Sequence, residues 1–314
     1  MTFTAANSNK PGFLKSGIHP DPIPTSGPRI PRKIWQTTRD KNTVKPELVE
    51  RYQNLLEMNP GWEHHLFDDA SQFEFLSSVC TQRFMDAYAR IPNIYGAARA
   101  DMFRYVVVYL HGGVYMDLKS GTTRPLDEIL RDDDDFIVSQ WDNGPDGMFP
   151  GVGLNKPLRD VPGGEYEQWF VISSPGHPFL AAIIEQVLEN IETYRAHRFG
   201  HGSKGVHNVY GPNVYTRTIR RLESQHNCRK ITAWTEGIRY TTFDNLHAHQ
   251  GLDSDHYLRK TIAPVTDVGL QGFDKLAYWF AEIVHWPYSK IRGLNNKRLF
   301  NRKLRKAKKL GSEV

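Results

Sequence analysis

Residues 94–119 read IYGAARADMFRYVVVYLHGGVYMDLK, and the reading of this stretch decides the fold. Ile94 to Leu110 is apolar and aromatic, but Arg99, Asp101 and Arg104 interrupt it. Ala98, Met102, Tyr105 and Tyr109 fall on one face at helical spacing, which predicts a helix. His111-Gly112-Gly113 ends it, because a glycine just past the last turn takes the left-handed conformation that closes a helix. Val114 to Leu118 then reads as a buried strand. Asp117 and Lys119 are two apart, so they leave that strand's carboxyl end on one face. Open α/β sheets take their ligands at such strand ends.

Working outward, a first strand is expected over 32–36, entered from Pro31. A helix over 43–59 follows, with Leu48, Tyr52, Leu55 and Leu56 at helical spacing after Pro46. Asn59-Pro60-Gly61 is a turn, 62–67 a second strand, and 70–79 a helix that Asp68 or Asp69 would cap. This alternation favours an α/β sandwich. Beyond the opening stretch, a strand is expected over 136–141 and a helix or strand over 166–173. Helices are expected over 178–194 and 214–222, and strand-like chain over 231–243. Six Gly and four Pro make 142–164 a long loop, and Gly200, Gly202 and Gly205 make 195–207 a mobile one. The run Asp132 to Asp135 reads as a solvated turn. The division expected is a flexible arm over 1–29, one catalytic-type domain over 30–270, and an aromatic and basic extension over 271–314.

Composition limits what the chain can be. With 314 residues, 39% hydrophobic, it can bury a sizeable core. Cys80 and Cys228 are too few for a disulfide framework or a four-cysteine zinc site. No apolar stretch is long enough to span a membrane, and 1–16 lacks a signal-peptide core. The expectation from these is a cytoplasmic or peripheral membrane protein. The net charge of +5 resides at one end: eight Lys and Arg lie between 297 and 309. Residues 1–296 keep 32 basic against 34 acidic side chains, a net of −2, which does not suggest a nucleic-acid-binding body. Leu299, Phe300, Leu304 and Ala307 form one helical stripe amid those cations. Upstream stand Phe273, Tyr278, Trp279, Phe280 and Trp286. This is the pattern of an amphipathic segment lying on an anionic membrane, or of a helix packed on the core with a basic end.

The charged residues carry the chemistry. A carboxylate at Asp117 can hold Mg²⁺ or Mn²⁺, hard ions that also take phosphate oxygens. A lysine at 119 is a point charge suited to a diphosphate. Charges inside an apolar helix are costly unless paired, and Asp101 and Arg104 stand three apart, close enough to pair.

The arrangement Arg99-x-Asp101-x-x-Arg104-Tyr105, followed by Gly112-Gly113-x-Tyr115-x-Asp117, resembles the sugar-binding region of glycosyltransferases that contain a DXD motif. The group it resembles is glycosyltransferase family 32, of α-mannosyltransferases and capsular polysaccharide synthesis enzymes. Ile30 to Thr37 resembles that family's opening strand, and Asn59-Pro60-Gly61-Trp62 with Asp68-Asp69 its second. Ser174-Pro175-Gly176-His177-Pro178-Phe179 and Gly211-Pro212 also find counterparts, in the same order, over roughly 30–220. The resemblance implies a GT-A fold, in which a Rossmann-like nucleotide half and an acceptor half share one mixed sheet. It implies transfer of a hexose, with retention, from GDP-mannose or a UDP-hexose to a glycan or lipid-linked acceptor. It places the metal, Mn²⁺ or Mg²⁺, on Asp117, with Asp117 and Asp101 as catalytic residues. The donor would be bound by Ile34, Trp35, Gln36, Arg99, Asp101, Tyr115 and Lys119.

One residue departs from the pattern. The second acid of the motif is Lys119 here. Either Asp117 holds the metal with a later residue, for which His247, His249, His256 and His285 are candidates, or Lys119 neutralises the diphosphate itself. The third reading is a degenerate protein that binds sugar nucleotides or glycans without turnover.

Overall fold

The computed structural model describes residues 11–243 and 261–284. Lys33–Thr37 forms strand β1, Pro46–Met58 helix α1 and Glu63–Phe67 strand β2. Helices α2 (Asp69–Val79), α3 (Gln82–Ala89) and α4 (Gly96–His111) lead to strand β3 (Gly113–Met116). Then come β4 (Gly121–Thr122), α5 (Leu126–Ile129), β5 (Phe136–Ser139) and β6 (Phe170–Ser173). Helices α6 (Pro178–Glu192), α7 (Ala196–Phe199), α8 (Gly202–Val209) and α9 (Pro212–Leu222) precede β7 (Arg229–Ile231) and β8 (Ile238–Arg239). A further helical run covers 272–284.

Six strands make one mixed sheet in the order β2-β1-β3-β6-β5-β7. β1 lies parallel to both β2 and β3, and β6 runs antiparallel between β3 and β5. This is the α/β architecture expected, a parallel half joined to a mixed half in one central sheet. The chain leaves β1 through α1 to β2 on one side and returns through α2, α3 and α4 to β3 on the other. Strand order therefore reverses at β1, and the carboxyl ends of β1 and β3 bound the crevice where such sheets bind ligands.

Alternation along the strands fills two cores. Trp35, Tyr115, Val138 and Val171 face α4 and α6. Ile34, Val114, Met116, Ile137 and Ile172 face Leu55 of α1 and Leu126 and Ile129 of α5. Helix α4 is buried on nearly every side, from Ala98 through Leu110, which is why its sequence is apolar all round. The turn from α4 into β3 needs two glycines in positive φ, Gly112 at 62° and Gly113 at 93°. A Cβ on Gly113 would sit 2.5 Å from the Lys33 carbonyl oxygen, and one on Gly112 2.7 Å from Pro175 Cδ. Asp68 caps α2: its carboxylate accepts from the Ser71 backbone N–H at 2.9 Å, in a reciprocal capping box.

Several expectations are corrected. Within the arm, residues 13–15 are packed on the domain. Phe13 is wholly buried, Leu14 bridges Cys80, and the Lys15 amide donates to Val79. Residues 195–207 are not a mobile loop but contain α7 and the start of α8. Gly200 and Gly202 mark helix ends and Gly205 lies within α8, while Ala196, Phe199, Val206 and Val209 are buried. The 231–243 region holds only the last residue of β7 and the two-residue β8. Within the acidic run, Asp134 is not solvated: it is buried and takes two hydrogen bonds of 2.7 Å from Arg229. The stripe at 299–307 and the four candidate histidines lie outside the described residues. If the arm is integral to the core, Phe13→Ala destabilises the fold by about 3–5 kcal/mol. Chemical denaturation measures it, and a change under about 1 kcal/mol would show that the arm merely lies on the surface.

Candidate active site

The site begins with Arg104. It is buried in α4, 5% exposed, where an unpaired guanidinium would be prohibitive. Its Nη2 lies 3.3 Å from Asp101 Oδ1 and 3.2 Å from Asp117 Oδ1. Its Nη1 donates to the Gln168 carbonyl, and its guanidinium stacks 4.3 Å above the Tyr115 ring. One side chain thus ties α4 to the end of β3 and to the approach to β6. Gln168 completes the cluster by donating from Nε2 to Asp101 Oδ1 and to the Tyr105 hydroxyl, both at 2.8 Å.

Asp117 stands one residue past β3, its amide donating to the Trp169 carbonyl. Its side chain is a quarter exposed. Oδ2 accepts from Lys119 Nζ at 2.5 Å, while Oδ1 takes Arg104 and, at 3.4 Å, the Tyr115 hydroxyl. Burial alone would raise the Asp117 carboxyl; Lys119 and then Arg104 outweigh it and hold the group below the usual range. Asp101 goes the other way. Burial pushes it up to about 7, with Arg104 opposing and the nearby Asp117 charge adding to the rise. Two carboxylates on one guanidinium are thereby split into a firmly charged one and one that titrates near neutrality.

Lys119 reaches across to a second face. Its ammonium sits 4.5 Å from the centroid of the Tyr240 ring. Tyr240 packs edge-on against Trp141 at 5.1 Å and Trp169 at 5.6 Å. The carbonyl of Lys119 accepts from the Thr242 amide at 3.1 Å, and Ser120 Oγ donates to the Tyr240 carbonyl at 2.7 Å. With the β4–β8 pairing, these bonds fasten segment 238–243 against the site.

The other expected positions divide. Gln36 is wholly buried, and its amide links the Asp117 carbonyl, at 3.4 Å, to His64 Nε2, at 3.0 Å. Tyr52 stacks on His64 at 4.3 Å, and burial lowers that imidazole to about 4. Tyr115 lies beneath Arg104, with Thr37 Oγ1 2.9 Å from its hydroxyl. Ile34 and Trp35 are in the core. The Trp35 ring stacks on His65 and donates to the Gly112 carbonyl at 2.8 Å. Arg99 points elsewhere, donating to the Ile91 carbonyl and covering Tyr88. Residues 99 and 101 are two apart on a helix and cannot share a face.

Two acids escaped the sequence reading. Glu167 is buried, held by Ser139 Oγ at 2.5 Å and Trp169 Nε1 at 3.0 Å. Burial raises its carboxyl to about 7. Glu165 accepts from Trp141 Nε1 at 2.9 Å and from Asn155. The available signal was a Glu-x-Glu pair running into the apolar strand 170–173.

Glycosyltransferases of the DXD class generally use a divalent ion. The donor set here fits one poorly. Among the described residues no group of three or more His, Cys, Asp or Glu side chains comes together. Asp117 is the one motif acid, and both its oxygens are engaged by cations.

Comparison with known proteins bears out the resemblance. Residues 46–136, which contain α4, β3 and Asp117, match the family described as the glycosyltransferase sugar-binding region containing DXD motif. The chain is 23% identical over 253 residues to the initiation-specific alpha-1,6-mannosyltransferase of Candida albicans, covering 71% of this chain and 62% of that protein. It is 32% identical over 103 residues to inositol phosphoceramide mannosyltransferase 3 of Schizosaccharomyces pombe, covering 33% of this chain and 27% of that one. The solved PaToxG glycosyltransferase aligns with a TM-score of 0.41 at 12% identity, over 61% of this chain and 68% of its own. The chain spans about half the length of the curated relatives it matches.

The raised Glu167 carboxyl fixes a pH dependence. From about 4.5 to 7 the unfolded chain gives up this proton and the folded protein keeps it, so folding stability falls across that window. Glu167→Gln removes the contribution. The stability difference between variant and wild type should shift by on the order of 2–3 kcal/mol over this range, in favour of the variant as pH rises. Denaturant titrations at pH 4.5 and 7 measure it.

Proposed function

We propose that this protein is a glycosyltransferase that moves a hexose, mannose first among the candidates, from a nucleotide-sugar donor to a glycan or lipid-linked acceptor. The observation that carries the reading is the Asp101–Arg104–Asp117 cluster at the carboxyl end of β3, beside the strand-order reversal at β1. It occupies the place where an α/β sheet binds its ligand, within the stretch that matches the sugar-binding region. Breaking the sugar–phosphate bond builds negative charge on the departing nucleoside diphosphate, and fixed cations in a dry site stabilise that charge. Arg104 and Lys119 are such cations. Asp117 orients both, and Asp101 and Gln168 present polar atoms next to the donor sugar. The aromatic group Trp141, Trp169 and Tyr240 walls the site against water. The donor is GDP-mannose or a UDP-hexose, and transfer proceeds with retention. Where an ion takes part, Mn²⁺ or Mg²⁺ would have Asp117 as its acid.

The acceptor side is favoured to be a lipid surface. On the helical run 272–284, Tyr278 and Ala281 are buried against the domain. Phe273, Leu276, Phe280, Ile283 and Val284 share the opposite side, each more than half exposed. Side chains three, four and seven apart make that side one continuous apolar strip. A strip of this kind on a monomer marks a binding surface. The cations of 297–309 follow it in sequence, which suits an anionic bilayer.

A donor screen tests the reading. The wild type should hydrolyse one of GDP-mannose, UDP-glucose, UDP-galactose and UDP-N-acetylglucosamine slowly. Asp117→Ala and Asp101→Asn should each lose at least about 100-fold of that turnover. Turnover by Asp117→Ala equal to wild type would sink the assignment. For the surface, co-sedimentation with vesicles of phosphatidylcholine and phosphatidylserine should fall several-fold in Phe273→Asp/Phe280→Asp, with donor hydrolysis unchanged. Equal sedimentation of the two proteins would exclude docking through this strip.

A further inference from the structure

We infer that Lys119 takes the place of the divalent ion, so that this protein binds its nucleoside diphosphate without metal. The inference rests on the transferase reading and specifies its electrostatics. Mg²⁺ and Mn²⁺ want several oxygen ligands, one or two of them carboxylates. Asp117 offers one carboxylate, whose Oδ2 is held by the Lys119 ammonium at 2.5 Å and whose Oδ1 faces the Arg104 guanidinium at 3.2 Å. The other acid of the cluster, Asp101, lies in the helix behind Arg104, 6% exposed, accepting from Gln168. An ion brought to Asp117 would displace or abut two fixed cations. Replacing the motif's second acid by lysine changes the local charge by two positive units, which is what a divalent ion supplies. Two carboxylates with such an ion are neutral, and one carboxylate with one ammonium is neutral as well.

The ammonium is also built into position. It is 17% exposed, its backbone carbonyl is tied to the Thr242 amide, and the Tyr240 ring lies 4.5 Å from Nζ. A lysine has three N–H donors. Asp117 takes one and the ring face attracts another, which leaves one for a phosphate oxygen. Held in a low-dielectric wall, a charge placed in advance needs no reorganisation as the leaving group forms. In the transfer, the electron pair of the C1–oxygen bond stays on the diphosphate. The acceptor hydroxyl oxygen bonds C1, and its proton passes to the released diphosphate. Lys119 stabilises that diphosphate, and Asp117 acts as a positioning residue for Lys119.

Calorimetric titration of the full chain with GDP and with UDP, in EDTA and in Mn²⁺, tests this. The expected result is binding of one nucleotide with a Kd that differs less than about threefold between EDTA and Mn²⁺. Lys119→Met keeps the aliphatic stem and should weaken binding in EDTA at least about tenfold, with an unaltered melting temperature. Lys119→Asp restores two acids and should bind only in Mn²⁺. A wild type that binds solely in Mn²⁺, or a Lys119→Met variant that binds as wild type does, overturns the inference and leaves the transferase reading standing. Binding of neither nucleotide under either condition overturns the transferase reading together with it.

Discussion

The structure around the site depends on keeping one guanidinium charged inside the protein. Arg104 sits in a helix buried on all sides, and desolvating it alone would cost several kcal/mol. Its five donors have to be met where they point. Two carboxylates, two carbonyls and one aromatic face meet them, drawn from three places in the chain: α4 itself, β3 with its end, and the approach to β6. The geometry of the cluster is therefore not separable from the packing of α4 on the sheet. The same need explains why Asp101 and Asp117, so close in space, behave as unlike acids. Asp117 shares its second oxygen with an ammonium and stays ionised; Asp101 has only the guanidinium and an amide, and burial dominates.

Much of this was legible in the local sequence, and the reason is proximity. The helix, its glycine stop, the strand and the acid at its end all lie within twenty-five residues, so periodicity and turn chemistry report on them directly. The Asp101–Arg104 pair follows from helical spacing. What periodicity cannot report is the partner from far away. Gln168, Tyr240 and Thr242 complete the cluster through contacts spanning more than sixty residues. Glu167 looked unremarkable because its neutrality depends on Ser139 and Trp169 folding over it. The helices within 195–209 were hidden by glycines at their ends and one, Gly205, inside α8, and the docking of Phe13 by a polar, proline-bearing neighbourhood. Trp35 and Arg99, next to the motifs in sequence, pack beside the cluster and not in it: Trp35 on His65, Arg99 on Tyr88.

The charge pattern ties these parts together. The cluster joins two permanent cations, one firm anion and one acid poised near neutrality. Over it lies segment 238–243, fixed by backbone hydrogen bonds to the very residues that follow Asp117. The Tyr240 ring of the aromatic wall is thus fastened to the stretch that carries the ammonium it covers, so access and charge are set together. The exposed strip of 272–284 offers apolar area on the surface of the domain.

The two glycines between α4 and β3 carry a consequence for how such a chain can change over time. Both faces of β3 are spoken for: Tyr115 looks toward Arg104, and Val114 and Met116 look toward α1 and α5. Sheet geometry alternates with every residue, so adding or removing one residue in the short stretch from Gly113 to Asp117 would exchange the two faces. Aromatic and acid would then enter an aliphatic core, and two aliphatic side chains would meet a bare guanidinium. Point replacement on the surface is cheap, but length here is not negotiable. The helix stop acts as a ruler, with its zero at Gly112 and its mark at the Asp117 carboxylate.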